Sequence, residues 1–166
     1  MFYIILAAII LVADILTKIA AERFLMPIET LSVINNFFHL TYVENKGIAF
    51  GMFSGGRVIF IIISVIVLAL LFALLIKTKK ECRTVWIKCG TALVISGAVG
   101  NLIDRLFRGY VVDFLDFCII DFPVFNIADI AVCVGAGMLL IHFLFAEEKA
   151  VACEKKLCET EDANRE

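Results

Sequence analysis

The chain has 166 residues, of which 62% are hydrophobic and 19% are charged, and its formal net charge at pH 7 is −2. Soluble domains are about 45–50% apolar and about 25% charged, so this composition excludes an ordinary soluble domain. The sequence also lacks the basic stripe with interleaved aromatic residues that is typical of nucleic-acid binding, and no nucleic-acid partner is expected. A single integral membrane domain is the class that fits.

Four apolar stretches are long enough to cross a bilayer as helices, which takes about 20 predominantly apolar residues. The stretch at the N-terminus has no Lys or Arg before its apolar run and is interrupted by Asp14 and Lys18. It therefore predicts a retained helix rather than a cleaved signal peptide. The expected fold class is a membrane all-α domain with four transmembrane helices, at about residues 1–21, 58–76, 85–103 and 127–146.

The charges in the loops predict how these helices cross the membrane. The loop after the second span holds four basic residues in seven, from Lys77 to Arg83. Basic residues in short loops favour the cytoplasmic side, which would place both termini in the cytoplasm and the other two loops outside. Residues 147–166 alternate acidic and basic side chains, so we expect a charged cytoplasmic tail after a single domain at 1–146.

The segment between the first two spans has a different pattern, in residues 35–50. Aromatic and β-branched residues are dense there, and apolar residues alternate with polar ones from Phe38 to Asn45. This pattern predicts one or two strands, followed by a turn at Asn45-Lys-Gly47. We expect a small extracytoplasmic sheet between the first and second helices.

The six cysteines show no CxxC pair and no metal-ligand spacing. Cys89 and Cys133 fall inside apolar runs, where a small buried hydrophobic residue is the favoured interpretation. No disulfide framework, metal or cofactor is expected.

Polar residues inside the spans are the main functional signal, because an ionisable side chain there costs about 2.5–3.5 kcal/mol. Asp14 and Lys18 lie four residues apart on one helix face, and so do Asn101 and Arg105. A structural ion pair with Lys18 snorkelling outward would explain the first pair. A headgroup anchor would explain Arg105. Near them, Ser96 and Gly100 are spaced for close helix packing.

The fourth span opens with Asn126 and Asp129, which have the spacing of a helix N-cap and an acidic residue in the first turn. All these polar groups are predicted to lie near the outer membrane interface. Two carboxylates held together in apolar surroundings share one proton, which is the chemistry of aspartic peptidases. Asp129 is one candidate. The residues leave its partner open among the aspartates of the preceding loop, Asp104, Asp113, Asp116 and Asp121.

Two other classes compete with a peptidase. A small transporter or channel subunit would use Asp14, Lys18 and Asp129 as a relay, which is expected near the bilayer midplane with short loops. A purely structural subunit would not need so many polar residues in one layer. Clustering at one interface below a strand-forming loop favours the peptidase.

Five segments, in order over residues 14 to about 135, resemble the signature blocks of the lipoprotein signal peptidases (signal peptidase II). The segments are Asp14-Ile-Leu-Thr-Lys18, Val43-Glu-Asn-Lys-Gly-Ile-Ala-Phe50, Gly97-Ala-Val-Gly-Asn-Leu-Ile-Asp-Arg105, Val111-Val-Asp-Phe114 and Phe125-Asn-Ile-Ala-Asp129. The resemblance implies an aspartic endopeptidase of the bacterial cytoplasmic membrane, with its site near the outer face. It would cut prolipoproteins just before a diacylglyceryl-modified cysteine, in contact with membrane lipids and as a monomer.

Carried over by motif, the resemblance makes Asp113 and Asp129 the catalytic pair and leaves Asp104, Asp116 and Asp121 non-catalytic. A helix N-terminus favours an ionised carboxylate, so Asp129 is the expected base and Asp113 the expected acid. The matching supporting positions are Asp14, Lys18, Asn45, Gly47, Asn101, Arg105 and Asn126. Ile130 and Ile48 stand where many relatives have Ser and Ala.

Overall fold

The structure, a computed structural model, describes residues 2–47, 57–77, 84–120 and 122–144. Its four long helices are each long and apolar enough to cross a membrane, which confirms the predicted spans. The basic loop at 78–83, residues 145–146 and the tail at 147–166 lie outside the described residues. The helices are α1 (Phe2–Phe24), α2 (Arg57–Lys77), α3 (Thr84–Phe107) and α4 (Ile127–Leu144).

Helix α3 is the central helix of the bundle. In its apolar window 56% of the residues are buried, compared with 6% in α2. Small residues let neighbouring backbones approach α3, because an added Cβ at Gly97 would collide with the carbonyl oxygen of Ala128 in α4. Gly90 and Gly135 face each other lower on the same pair of helices. Close packing through small residues is how helices associate in an apolar solvent.

A three-stranded antiparallel sheet lies at one end of the bundle, with strand order β1-β2-β3. Strands β1 (Thr30–Ile34) and β2 (Phe38–Asn45) form a hairpin between α1 and α2, turning at Asn36 with φ 56°. Strand β2 confirms the prediction of a strand within residues 35–50, and the hairpin confirms the predicted small sheet between the first two helices, whereas β1 precedes that segment and was not predicted. Strand β3 (Val111–Phe117) comes from the loop between α3 and α4 and was not predicted. Its pairing with β2 places Asp113 opposite Val43.

The sheet is fixed to the bundle by a small core under β3. Val112 and Phe114 pack with Ala21 and Leu25 at the end of α1. Burying an apolar side chain of this size contributes roughly 1.5–3 kcal/mol. Because successive side chains of a strand point to opposite faces, Asp113 points away from this core, and it contacts Asn126 at the start of α4.

Candidate active site

Asp113 and Asp129 line one cavity of about 510 Å³, at the point where β2, β3, α3 and α4 meet. The cavity is also lined by Asn45, Gly47 and Arg105. Five of the nine site residues predicted from the sequence therefore border it directly. The other four, Asp14, Lys18, Asn101 and Asn126, lie behind this surface and connect to it through hydrogen bonds. The structure therefore brings all nine together.

Asn126 connects the two carboxylates. Its Nδ2 donates to Asp113 Oδ1 at 2.6 Å, and its backbone N–H donates to Asp129 Oδ2 at 3.1 Å. In return, Asn126 Oδ1 accepts from the backbone N–H of Asp129 at 3.0 Å. The reciprocal bonds are those of a capping box at the start of α4. The N-cap interpretation of Asn126 is confirmed, and the same side chain also contacts Asp113.

Asp113 is only 2% exposed and accepts a second amide hydrogen bond, from Asn45 Nδ2 at 2.9 Å. The backbone N–H of Gly47 donates to Asn45 Oδ1 at 3.1 Å and so orients that amide. Burial raises the pKa of Asp113, and the charge of Asp129 raises it further, whereas the two amide donors and Lys18 lower it; the result is about 7. A carboxyl group with this pKa can carry a proton near neutral pH.

Asp129 lies in the first turn of α4 and accepts from Asn101 Nδ2 at 2.8 Å. The other end of that amide, Asn101 Oδ1, accepts from Lys18 Nζ at 2.9 Å. Since Lys18 can only donate, it forces the NH₂ group of Asn101 toward Asp129. Each oxygen of Asp129 thus accepts a hydrogen bond, one from α3 and one from the N-cap of α4.

Lys18 is 1% exposed, and its Nζ lies 2.9 Å from Asp14 Oδ2 and 3.1 Å from Asp104 Oδ2. The predicted ion pair with Asp14 is confirmed, but the predicted outward snorkelling of Lys18 is wrong. Its ammonium group has three acceptors inside the bundle, including Asn101. They take the place of the water molecules that the group would otherwise bind at the membrane surface. Asp104 is 2% exposed and also binds Arg108, so its carboxylate is held by two cations away from the cavity.

Asp14 has a second partner in α4. Its Oδ1 accepts the backbone N–H of Ala128 at 2.9 Å, which satisfies one of the free donors at the helix N-terminus. The carboxylate reaches that position because α3 has Gly100 there; an added Cβ would collide with Asp14 Oδ2. The predicted close packing at Gly100 is therefore present, and it makes room for a side chain as well as for a helix.

Arg105 borders the cavity, with its guanidinium carbon 5.4 Å from the ring centroid of Phe60 in α2. Its Nη1 donates to the backbone oxygen of Asn101 at 3.4 Å. The side chain thus reaches the cavity from the end of α3, and its interpretation as a headgroup anchor stays a prediction.

The sequence did not predict the apolar wall of the cavity. Three of its residues lie one, four and five positions after Asp129 on α4. These spacings place them within the same half of the helix circumference as Asp129, and this pattern could have predicted them from the sequence. One of them, Cys133, is exposed, so its predicted burial is wrong, whereas Cys89 is buried as predicted. The apolar wall consists of Phe122, Pro123, Val124, Phe125, Ile130, Cys133 and Val134.

Comparison with known proteins identifies the family of the chain. Residues 6–145 match the family described as signal peptidase (SPase) II. The chain belongs to the signal peptidase II family. It is 45% identical to a lipoprotein signal peptidase of Clostridioides difficile, over 90% of this chain and 99% of the relative. It is 42% identical to one of Halothermothrix orenii, over 90% of this chain and 98% of the relative.

Two solved bacterial membrane enzymes have the same fold as this signal peptidase II. One superposes with a TM-score of 0.79 at 32% identity, covering 89% of this chain and 90% of the other. The second has a TM-score of 0.77 at 34% identity, covering 86% and 92%. The family is one of aspartic peptidases, so the predicted enzyme class is confirmed, and the transporter and structural-subunit alternatives are wrong.

Proposed function

We propose that Asp113 and Asp129 are the catalytic pair of this signal peptidase II. The observation that carries the proposal is Asn126, which hydrogen-bonds to both carboxylates at once. It holds the two groups at one cavity, although they come from β3 and α4. Asn45 and Asn101 each support one of them with an amide whose orientation is fixed by a further donor.

The two carboxylates take different roles. Asp129 is the general base that accepts a proton from water, because it lies in the first turn of α4, where the helix N-terminus favours the ionised form, and each of its oxygens accepts a hydrogen bond. Asp113 is the general acid that protonates the scissile carbonyl oxygen, consistent with its pKa of about 7. When the tetrahedral intermediate collapses, the C–N bond breaks and Asp129 gives the proton that it took from water to the leaving amine. Asp113 takes back a proton from a hydroxyl of the intermediate, which becomes the new carboxyl group, so both aspartates return to their starting states. For a coupled pair these roles describe the resting enzyme.

The substrates are prolipoproteins carrying a diacylglyceryl-modified cysteine, cut just before that cysteine. The apolar wall from α4 includes Ile130 and Val134, which are 40% and 51% exposed. A lipidated segment can enter through this side while its acyl chains stay among membrane lipids. The cavity then needs to hold only an extended backbone, and an enzyme of one chain suffices.

The protein is a multi-pass protein of the bacterial membrane, and we place the sheet and the cavity on the outer side of the cytoplasmic membrane. The basic loop at 77–83 supports this orientation, with both termini in the cytoplasm. The sheet end then lies where a lipoprotein precursor emerges from the membrane.

The test is a gel-shift assay on a diacylglyceryl-modified prolipoprotein with Asp113→Asn and Asp129→Asn. Each change keeps the size of the side chain but removes its acid–base function, so each should lower processing by at least about 10²-fold, the scale of general acid–base catalysis. Asp162→Asn is the matched control, since Asp162 lies beyond the matched residues 6–145. Near-wild-type processing by either folded site variant would exclude the proposed pair.

A further inference from the structure

A second group of chemically reactive side chains lies on the sheet. His39 of β2, Asp116 of β3 and Cys118 present one ligand atom each, and these atoms all lie within 4.8 Å of one another. None of the three is among the described residues that line the cavity. We propose that this trio, here called the sheet triad, is a binding site for Zn²⁺.

The backbone holds the sheet triad in place. His39 and Asp116 are directly opposite in the β2–β3 pairing, so their side chains project from the same face. Cys118 is the first residue after β3, in a short 3-10 turn, and its sulfur lies within 4.8 Å of the other two ligand atoms. Its backbone N–H donates to the carbonyl oxygen of Phe37 at 3.1 Å, which ties the end of β3 to the β1–β2 turn.

The donor types suit zinc. Imidazole nitrogen, thiolate sulfur and carboxylate oxygen are its usual protein ligands, at about 2.0–2.3 Å from the metal. Tetrahedral geometry then separates the ligand atoms by about 3.3–3.8 Å, which side-chain rotation can reach from the observed spacing. The mixed set with a thiolate disfavours Mg²⁺ and Ca²⁺, which prefer oxygen alone. A water molecule completes four-coordination.

A further hydrogen bond orients the carboxylate. Thr41 Oγ1 donates to Asp116 Oδ2 at 2.8 Å, and Thr30 Oγ1 donates to Thr41 Oγ1 at 3.4 Å. This leaves Asp116 Oδ1 available to a metal. Outer hydrogen bonds of this kind are typical of metal sites, because they fix the direction of the ligand.

Sequence spacing does not reveal this site, since His39 and Asp116 are 77 positions apart and meet only through strand pairing. A bound Zn²⁺ would link β2 to β3, the two strands that carry Asn45 and Asp113. It is therefore expected to stabilise the sheet. The inference is independent of the roles proposed for Asp113 and Asp129.

The test is Co²⁺ titration of the full-length, detergent-purified protein, with Zn²⁺ as competitor. Wild type should develop a thiolate-to-cobalt charge-transfer band at one equivalent, and Zn²⁺ should abolish it. Cys118→Ser should lose the band although five other cysteines remain. His39→Gln should weaken Co²⁺ binding at least tenfold. Cys133→Ser and His142→Asn are the matched controls and should keep the band.

A folding readout accompanies the titration. Zn²⁺ should raise the Tm of wild type and of Cys133→Ser, but not of Cys118→Ser, because only a ligand bound to the native state stabilises it. Absence of the cobalt band in folded wild type would overturn the proposal. A band that survives Cys118→Ser would overturn it equally, since the thiolate would then belong to another cysteine.

Discussion

Replacing Lys18 with Met should strongly destabilise the protein, because the side chain is buried and its charge balances two carboxylates. Its Nζ lies 2.9 Å from Asp14 and 3.1 Å from Asp104. Met fills a similar volume, so the change removes charge more than packing. Breaking a buried ion pair by removing one partner costs about 3–5 kcal/mol. The total free energy of unfolding of a protein is about 5–15 kcal/mol, so this loss would be a large fraction of the stability.

The measurement is the midpoint of SDS-induced unfolding, followed by circular dichroism. Lys46→Met is the matched control, because Lys46 is 63% exposed and pairs with Glu44 at the surface. That change should cost less than about 1 kcal/mol. The double variant Lys18→Met/Asp14→Asn should recover part of the loss, because Asp104 keeps its ion pair with Arg108 and Asp14→Asn removes the buried carboxylate that Lys18→Met leaves uncompensated.

The same substitution should reduce processing per folded molecule, because Lys18 also orients the amide of Asn101 toward Asp129. The gel-shift assay, normalised to folded protein, separates this effect from unfolding. If Lys18→Met unfolds at the same SDS concentration as wild type, then Lys18 does not stabilise the fold by balancing the charges of Asp14 and Asp104.

Three further predictions concern the cavity and the packing around it. Processing should fall above about pH 7, as Asp113 loses its proton, and in Asn45→Ala the fall should move to higher pH, because Asn45 lowers the pKa of Asp113; a pH–rate profile that moves to lower pH contradicts this sign. Gly97→Ala should cost about 1–3 kcal/mol and reduce processing, because the added Cβ would meet Val132 Cγ2 at 2.8 Å as well as the Ala128 backbone. Gly137→Ala, with nothing within 4 Å, is its control and should be neutral or stabilising by up to about 1 kcal/mol, so equal SDS midpoints for the two variants would refute the packing argument. Asn126→Ser keeps an oxygen that can cap α4 and should be about 1 kcal/mol more stable than Asn126→Ala, yet both should lose processing; a serine variant that processes normally would show that the amide contact with Asp113 is dispensable.

The sequence predicted the parts of the fold that depend on local composition. A run of apolar residues such as 58–76 specifies a spanning helix without reference to the rest of the chain. Strand β2 was also predictable, because apolar and polar residues alternate along it. Strand β3, Val111–Phe117, was missed because its apolar and polar residues do not alternate: Asp113 and Asp116 are three positions apart. Its strand conformation depends on pairing with β2, about 70 positions earlier, which no local pattern indicates.

The candidate site was predictable as a set of residues but not as a network. Spacing placed Asp14 and Lys18 on one face, and the motifs added Asp113. The direction of Lys18 could not be read from α1 alone, since it depends on acceptors supplied by α3. The choice between snorkelling and burial was decided by Asn101 and Asp104, which lie 83 and 86 positions away.

The hydrogen bond from the Ala128 N–H to Asp14 joins α1 to α4 across 114 positions of sequence. During synthesis α1 is made and inserted before α4, so the carboxylate of Asp14 can accept this hydrogen bond only after α4 has been added. Asn126 and Asp129 are made with the same fourth helix. With Asp113 and Asp129 as the proposed catalytic pair, a nascent chain lacks one of the two carboxylates until this helix is made, and we expect proteolytic competence to begin only when it has inserted.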